Sequence, residues 1–169
     1  VLVTLLAPVF IPYENVIHQN VRQKLKGPSA EHIFGTDELG RDMLARVLYG
    51  GRISLLSGIA IIMIAFVFGV IIGGVAGFIG GGVDSVLMRI VDAMMAVPPA
   101  LLAMAIITAL GNGVFNLVLA LAIAQIPRFA RTVRSSVLTL RNMEYVEASR
   151  CFGASSMRII LKHILPNGI

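Results

Sequence analysis

Acidic and histidine side chains lie in the first long polar segment of this sequence, and their types could do chemistry. The carboxylates of Asp37, Glu38 and Asp42 could hold a metal ion or transfer protons. His18 and His32 could add further metal ligands. Asp37 and Asp42 are five residues apart, about 500° around a helix, so they would not share a face. Because histidines in a polar loop are usually solvated, the sequence predicts no catalytic residue and no metal site.

Two other kinds of chemistry also lack the residues they need. The only cysteine, Cys151, cannot form an internal disulfide or a cysteine-based metal site. The sequence has no G-x-x-x-x-G-K-[S/T] loop, whose backbone would cradle nucleotide phosphates. We therefore expect this chain not to be an enzyme, to bind no cofactor itself and to take any energy it needs from a partner.

The composition is that of a membrane protein. Hydrophobic residues make up 57% of the 169 residues and charged residues 14%, with a mean hydropathy of +0.87. That leaves too little polar surface for a soluble globular domain. The net charge is +5, and seven basic residues after Pro127 face only Glu144 and Glu147. Because a basic flank beside apolar spans usually lies in the cytoplasm, we expect the basic end there.

Apolar runs predict several membrane crossings. About 20 apolar residues suffice to cross the hydrocarbon layer, and the sequence predicts spans at about 53–79, 86–110 and 114–130. Residues 1–11 resemble the end of a first span whose beginning is cut off, so we expect a fragment. Four crossings would make the polar segment 12–52 an extracytoplasmic loop, opposite the basic end.

An amphipathic helix is predicted within that loop, over 35–52. Thr36 or Asp37 would cap its N-terminus, and apolar residues recur at helical spacing. Asp42 and Arg46 have i,i+4 spacing, which adds only about 0.3 kcal/mol. The helix is therefore expected to rest its apolar stripe on the membrane surface or on a partner.

Small residues recur every four positions in the first complete span. Gly69, Gly73 and Gly77 continue a series that begins at Ala65 and ends at Gly81. Such a strip lets a second helix approach closely, so we expect this face to pack against protein rather than lipid. The alternative is chance in a chain with 17 glycines.

Charged residues lie near the ends of the later spans. Arg89 and Asp92 are one turn apart and could neutralise each other. Arg128, Arg131 and Arg134 recur every three residues and predict a basic stripe where the last helix leaves the bilayer. Ionisable residues near a span are functional candidates, and solvated helix ends are the alternative.

The basic end reads as two short helices joined at a glycine. Glu144 to Phe152 predicts the first helix, and Gly153 would be a hinge or a C-terminal cap. Ser155 could cap a second helix that Pro166 helps to end. This shape, at a membrane surface, is typical of a docking element.

The spacing in this basic end resembles the EAA loop of inner-membrane permease subunits of binding-protein-dependent ABC importers. That pattern is Glu-Ala-Ala, three residues, Gly, nine residues, Ile, one residue, Leu-Pro. The matching positions are Glu147, Ala148, Ser149, Gly153, His163, Leu165 and Pro166. Ser149 replaces the second alanine and His163 replaces the isoleucine, while Glu144 precedes the pattern by one helical turn.

Two other stretches are similar to one branch of this family. Residues 34–55 and 80–106 resemble the C-type subunit of dipeptide, oligopeptide and nickel permeases. The resemblance implies an all-α, polytopic transmembrane helical bundle of the type I importer kind over 53–169. It also implies a cytoplasmic coupling loop over 140–167. Because the family normally has two more spans after the Leu-Pro, we expect C-terminal spans to be missing.

The resemblance also implies function and partners. The chain would help to form the pathway for peptides or nickel across a prokaryotic cytoplasmic membrane. ATP would act through separate cytoplasmic ATP-binding subunits, whose cleft receives the short helix of the loop. A second permease subunit in a heterodimer, an extracytoplasmic solute-binding protein and membrane lipid complete the expected partners, with no nucleic acid.

Pro98-Pro99 interrupts the span over 86–110. Prolines remove backbone hydrogen bonds, so the sequence predicts a kink, and a kinked helix is favoured inside the bundle. Met94, Met95, Pro98 and Pro99 are therefore our candidates for lining a transport pathway. The alternatives to this function are a permease of another ABC importer branch, and a non-transport scaffold whose basic end binds anionic lipid.

Overall fold

A computed structural model describes residues 1–154, 156–159 and 162. Within them the regular structure is helical, chiefly α-helical, with one 3-10 turn, a π-helical residue at position 162 and a single isolated bridge. The helices are α1 (Leu2–Leu5), α2 (Ala7–Phe10), α3 (Glu14–Ile17), α4 (Met43–Ile79), α5 (Gly81–Met95), α6 (Pro99–Leu110), α7 (Val114–Leu140), α8 (Glu144–Cys151) and α9 (Ser156–Ile159). The predicted all-α fold is confirmed.

The chain divides into two units, Val1–Ile59 and Ala60–Ile169. In the first unit, the segment expected to end a span forms the two short helices α1 and α2. Its assignment to a membrane span stays a prediction.

Tyr49 donates a hydrogen bond of 2.7 Å to the Ile11 carbonyl. The Tyr49 ring also lies 5.6 Å from that of Tyr13, so this hydrogen bond and ring contact join the start of the chain to α4.

Polar side chains fold the segment before α4 into a turn rather than a helix. Thr36 is buried, and its hydroxyl donates to the Gln23 carbonyl and accepts from the Lys26 backbone N–H at 2.9 Å. The Asp37 carboxylate accepts from the Arg41 backbone N–H at 2.9 Å. Both side chains thus form hydrogen bonds with backbone groups of the loop, and neither caps a helix. The prediction of a helix starting at Thr36 or Asp37 is wrong, because α4 begins at Met43.

Asp42 is the residue that caps α4. Its Oδ1 accepts from the Ala45 backbone N–H at 2.9 Å, which satisfies one of the donors left free at a helix start. Its Oδ2 pairs with His32 Nδ1 at 2.9 Å. Arg46 instead pairs with Asp37. The predicted Asp42–Arg46 pair is therefore wrong, because Asp42 pairs with His32 and Arg46 with Asp37, each further away in sequence.

Helices long and apolar enough to cross a membrane occur at Met43–Ile79 and Val114–Leu140 in the described chain. α5 and α6 pass the same test only as a pair, and they meet at an angle of 89°. The sequence predicted one kinked span here, but the helix breaks. Because a residue before proline is forced out of the helical region, Pro98 is extended, with ψ 134°, and α6 begins at Pro99.

The glycines of α4 lie against α7. A Cβ at Gly69 would lie 3.1 Å from the Ala130 backbone nitrogen, and one at Gly77 would lie 2.9 Å from Val137 Cβ. At Gly73 it would lie 2.9 Å from the Arg134 backbone nitrogen. Contact residues rise along α7 as the glycines rise along α4, so the two helices run in the same direction. α7 also packs against α5 and α6.

Candidate functional site

One end of the second unit gathers the end of α4, the start of α5, the end of α7 and the short helix α8. α4 ends at Ile79, and a turn at Gly80 and Gly81, both with positive φ, leads into α5. α7 ends at Leu140, and α8 begins at Glu144. Because α4 and α7 run in the same direction, the turn after α4 and the turn after α7 lie at the same end.

α8 has one buried side and one exposed polar side. Val146 is fully buried, whereas Glu144, Glu147 and Ala148 are exposed. Ser149 is half-buried, and its hydroxyl donates to the backbone carbonyl one turn earlier at 2.8 Å. The two glutamates lie in the first turn of α8, where negative charge is favourable against the helix dipole.

Gly153 ends α8 as a C-terminal cap. Its φ is +78°, in the left-handed region that glycine adopts without steric cost. The next backbone N–H, that of Ala154, reaches back to the Ser149 carbonyl at 3.1 Å. This 6→1 hydrogen bond is the mark of a Schellman motif. α9 then begins at Ser156. Three residues predicted for the same loop, His163, Leu165 and Pro166, lie outside the described residues.

A small apolar cluster holds α8 against the bundle. We call it the Val146 cluster; its buried members are Val133, Val137, Val146 and Ile159. Val70 and Phe78 of α4 pack against it, together with Leu140 and Ala154. Burying a valine side chain contributes about 1.5–3 kcal/mol. The short helix is therefore bound through one side to both α4 and α7, while its acidic side remains exposed.

Ion pairs join α5 to α7. Asp84, in the first turn of α5, accepts two hydrogen bonds from Arg134, at 2.5 Å from Nε and 2.6 Å from Nη2. Such bidentate pairs fix geometry as well as charge. Asp92 pairs with Arg131, and both side chains are exposed, so this second pair is worth little. The expected pairing of Arg89 with Asp92 is wrong, because Arg131 lies across from Asp92 on the packed neighbour.

Arg141 connects the turn after α7 to the end of α4. Its Nη1 donates a hydrogen bond of 3.0 Å to the Gly77 carbonyl. The last four carbonyls of a helix have no partner within the helix, and a cation is favourable at this end of the dipole. Arg141 follows Arg134 by seven residues, about two helical turns, so the two arginines lie on one side of the helix end.

Cavities lie beside the break between α5 and α6. One, of about 410 Å³, includes Met94, Met95, Pro99 and Arg128 in its lining. A second, of about 420 Å³, shares Met95 and Arg128 and adds hydroxyl groups of α7. Three of the four predicted pathway residues thus border one cavity, and Pro98 lies in the break itself. Their role in a pathway stays a prediction.

The acidic residues of the first unit are engaged by neighbouring side chains. The pKa of the Asp37 carboxyl lies well below its usual range: partial burial acts to raise it, but hydrogen bonds from the Arg41 and Leu39 backbones and the Arg41 guanidinium together outweigh that effect. His32 lies between Asp42 and Gln23. Within the described residues, no three His, Cys, Asp or Glu side chains are grouped to hold a metal ion.

Comparison of the sequence with known proteins shows which family the chain belongs to. Residues 69–169 match the family described as binding-protein-dependent transport system inner membrane component. The chain belongs to this family. It is 44% identical over 158 residues to the dipeptide transport system permease protein of Bacillus subtilis (strain 168), covering 94% of this chain and 49% of that protein.

Other similar proteins are also named as transport permeases. A putative peptide transport system permease protein of Brucella suis biovar 1 is 45% identical, over 98% of this chain and 57% of its own length. The glutathione transport system permease protein of Pectobacterium atrosepticum is 39% identical, over 96% and 54%. The chain thus spans about half the length of the curated relatives it matches. The family's description and the apolar helices identify a multi-pass protein of the cytoplasmic membrane.

Sequence reasoning about this permease chain missed the residues that hold the site together. Val146 gave no signal apart from its place in a mostly polar helix. The ion pairs between α5 and α7 did have a signal in the sequence. Asp84 and Asp92 are eight residues apart, about two helical turns, so both lie on one face of α5. An acidic face of this kind is suited to packing against the arginine stripe of α7. Nothing in the sequence indicated that Arg141 would reach the end of α4, 64 residues earlier.

Proposed function

We propose that the chain is part of the permease subunit of an ATP-driven importer, and that α8 docks into a separate cytoplasmic ATPase subunit. The observation that carries this proposal is the two-sided character of α8. Val146 is fully buried in a cluster with valines of α7, against which α4 packs, whereas Glu147 and Ala148 are exposed. A helix held firmly on one side and free on the other can pass a displacement from a docked partner to the bundle. The membership of the permease family supports the same reading.

Charge and size suit the exposed side of α8 to such a partner. Glu144 and Glu147 offer carboxylates to a basic cleft, where hydrogen bonds between charged groups are stronger than those between neutral groups. Ala148, with its small side chain, allows close approach. A second permease subunit and an extracytoplasmic solute-binding protein are the remaining partners that we propose, from the family's description.

A disulfide scan of α8 tests the docking. Cysteines are placed singly at Ala148 and Ser149, with Cys151→Ser to remove the exposed native thiol, in the protein as the cell makes it. Single cysteines are introduced into the cleft of the partner ATPase. We expect crosslinks at both positions, with a yield that changes when ATP is added.

Val146→Cys is the matched control, because Val146 lies on the same helix but is fully buried. It should give no crosslink to the ATPase. Equal yields at the buried and exposed positions would indicate nonspecific trapping. No crosslink at Ala148 or Ser149, with both proteins folded and present, would overturn the docking and favour a helix pair that rests on anionic lipid.

We propose peptides as the transported solute. The relatives include permease proteins named for dipeptide, D,D-dipeptide, oligopeptide and glutathione transport systems, which favours peptides over nickel. Cells that make the complete transporter are expected to take up a labelled dipeptide, and excess unlabelled dipeptide should block that uptake. Nickel chloride should leave it unchanged. Uptake of radioactive nickel without any uptake of dipeptide would contradict this assignment.

A further inference from the structure

Three contacts join the turn between α4 and α5 to the end of α7, just before α8 begins. Arg141 donates to the Gly77 carbonyl at 3.0 Å, in the last turn of α4. Arg134 holds Asp84, in the first turn of α5, through two hydrogen bonds of 2.5 and 2.6 Å. The guanidinium of Arg141 also lies close to the turn itself, because a Cβ at Gly80 would lie 3.2 Å from its Nη1.

Arg141 stands where the chain leaves α7 for α8. Its backbone N–H donates to the Val137 carbonyl at 2.9 Å, which completes the last turn of α7. Two residues later, the Met143 N–H donates to the Leu140 carbonyl at 3.1 Å, and α8 starts at Glu144. The backbone of Arg141 is therefore fixed to α7 just before α8, while its side chain is fixed to α4. Within the described residues, Arg141 and the Val146 cluster are thus two routes by which a displacement of α8 can reach α4.

We propose that Arg141 is a positioning residue that makes the end of α4 follow the movement of α8. The proposal rests on the proposed docking of α8 to an ATPase. The apolar contacts of the Val146 cluster are non-directional and can slide, whereas a hydrogen bond from a guanidinium to one carbonyl has a preferred distance and angle. Arg141 thus supplies the directional link between the two elements, and Arg134 extends that link to α5.

The chemistry of these contacts predicts which substitutions of Arg141 are tolerated. Arg141 makes one hydrogen bond to a single carbonyl, and the ammonium group of lysine, on its flexible stem, can donate such a bond. Arg134 makes a bidentate pair with a carboxylate, which lysine cannot reproduce because it lacks the planar fork. The amide of glutamine can also donate, but it lies two bonds nearer the Cα than the Arg141 Nη1 and carries no charge, whereas the lysine ammonium lies only one bond nearer and is charged. Arg141→Lys should therefore preserve most of the function, whereas Arg141→Gln should not.

The test uses the complete transporter in proteoliposomes, with its ATPase, its binding protein and a labelled dipeptide. Three quantities are measured for each variant: the amount of ATPase that co-purifies, the rate of ATP hydrolysis, and the dipeptide taken up per ATP hydrolysed. For Arg141→Gln we expect an unchanged amount of ATPase and an uptake per ATP that falls about tenfold, as when a hydrogen bond to a charged group is lost. Arg141→Lys should restore most of that ratio.

Arg89→Gln is the control for loss of an arginine. Arg89 is exposed and has no side-chain hydrogen bond within the described part of the chain, so all three quantities should stay at the level of the unchanged transporter. An unchanged uptake per ATP in Arg141→Gln would overturn the proposal. Loss of the assembled complex would also overturn it, since it would give Arg141 a purely structural role.

Failure of the proposed function gives a different result. If the unchanged protein neither co-purifies with the ATPase nor supports ATP-driven uptake, the docking of α8 is wrong, and the role of Arg141 falls with it. If the unchanged protein is coupled and Arg141→Gln is equally coupled, only the role of Arg141 is wrong.

Discussion

Gly73→Leu is expected to prevent α4 from packing against α7. A Cβ at this position would lie 2.9 Å from the Arg134 backbone nitrogen and 3.0 Å from Val133 Cβ, and it would lie closer still to the Ala130 carbonyl oxygen. Two of these neighbours are backbone atoms, which cannot rotate away. We expect a destabilisation of about 3 kcal/mol, at the upper end of what overpacking costs. The measurement is the thermal midpoint and yield of the detergent-solubilised full-length protein.

Gly74 offers a control one residue away. Apart from its chain neighbours and the nearby backbone of α4, a Cβ at Gly74 would meet no atom within 4 Å. Both Gly73→Leu and Gly74→Leu replace a helical glycine with a better helix former, so the gain in helix propensity is the same for the two variants and only the contact differs. Gly74→Leu should keep the yield and thermal midpoint of the unchanged protein. Equal losses in the two variants would show that α7 does not limit the size of residue 73.

The face of α4 that packs on protein could be predicted because its signal is local. Gly69, Gly73 and Gly77 are spaced close to the helical repeat, so the strip is visible without a structure. The helix that covers the strip could not be predicted from this spacing. Its contacts, at Ala130, Arg134 and Val137, lie some 60 residues further on, and any apolar helix would have satisfied the pattern equally well.

Local signals misled where distant residues competed for the same polar group. Thr36 and Asp37 have the right side chains for an N-cap, but Thr36 is used by Gln23 and Lys26, in an earlier part of the loop. Asp42, which is equally suited, is the cap in the structure. The choice between neighbouring capping residues depends on tertiary hydrogen bonds, which no sequence window contains.

The same limit applies to the candidate site. The family pattern indicated Glu147 and Gly153, because their spacing is fixed by a short helix and its glycine cap. The pattern did not indicate Val146, whose importance comes from its place in a cluster with α7 residues, covered by α4, rather than from its neighbours in sequence. Pro98 and Pro99 predicted an interruption, but not the 89° angle between α5 and α6, which both pack on α7.

Val146→Asp is expected to release α8 from the bundle. Val146 is fully buried among Val133, Val137 and Ile159. A charged carboxylate cannot remain there without a partner, so the variant loses the roughly 1.5–3 kcal/mol that a buried valine contributes and gains a penalty for any remaining burial. Hydrogen exchange of the amides over 144–151 should therefore speed up by about 10- to 100-fold, because local opening costs less free energy.

Ala148→Asp introduces the same side chain two residues later, on the exposed side of α8. Its amides over 144–151 should exchange as slowly as those of the unchanged protein, because the Val146 cluster is intact. The pair of variants separates two roles of one helix: Val146→Asp tests how α8 is held by the bundle, and Ala148→Asp changes only the surface offered to a partner. If Val146→Asp leaves exchange over 144–151 unchanged, the Val146 cluster does not hold α8. Of the two links seen in the described residues, the one from Arg141 to α4 would then remain, and Arg141→Gln should remove most of the dipeptide uptake per ATP.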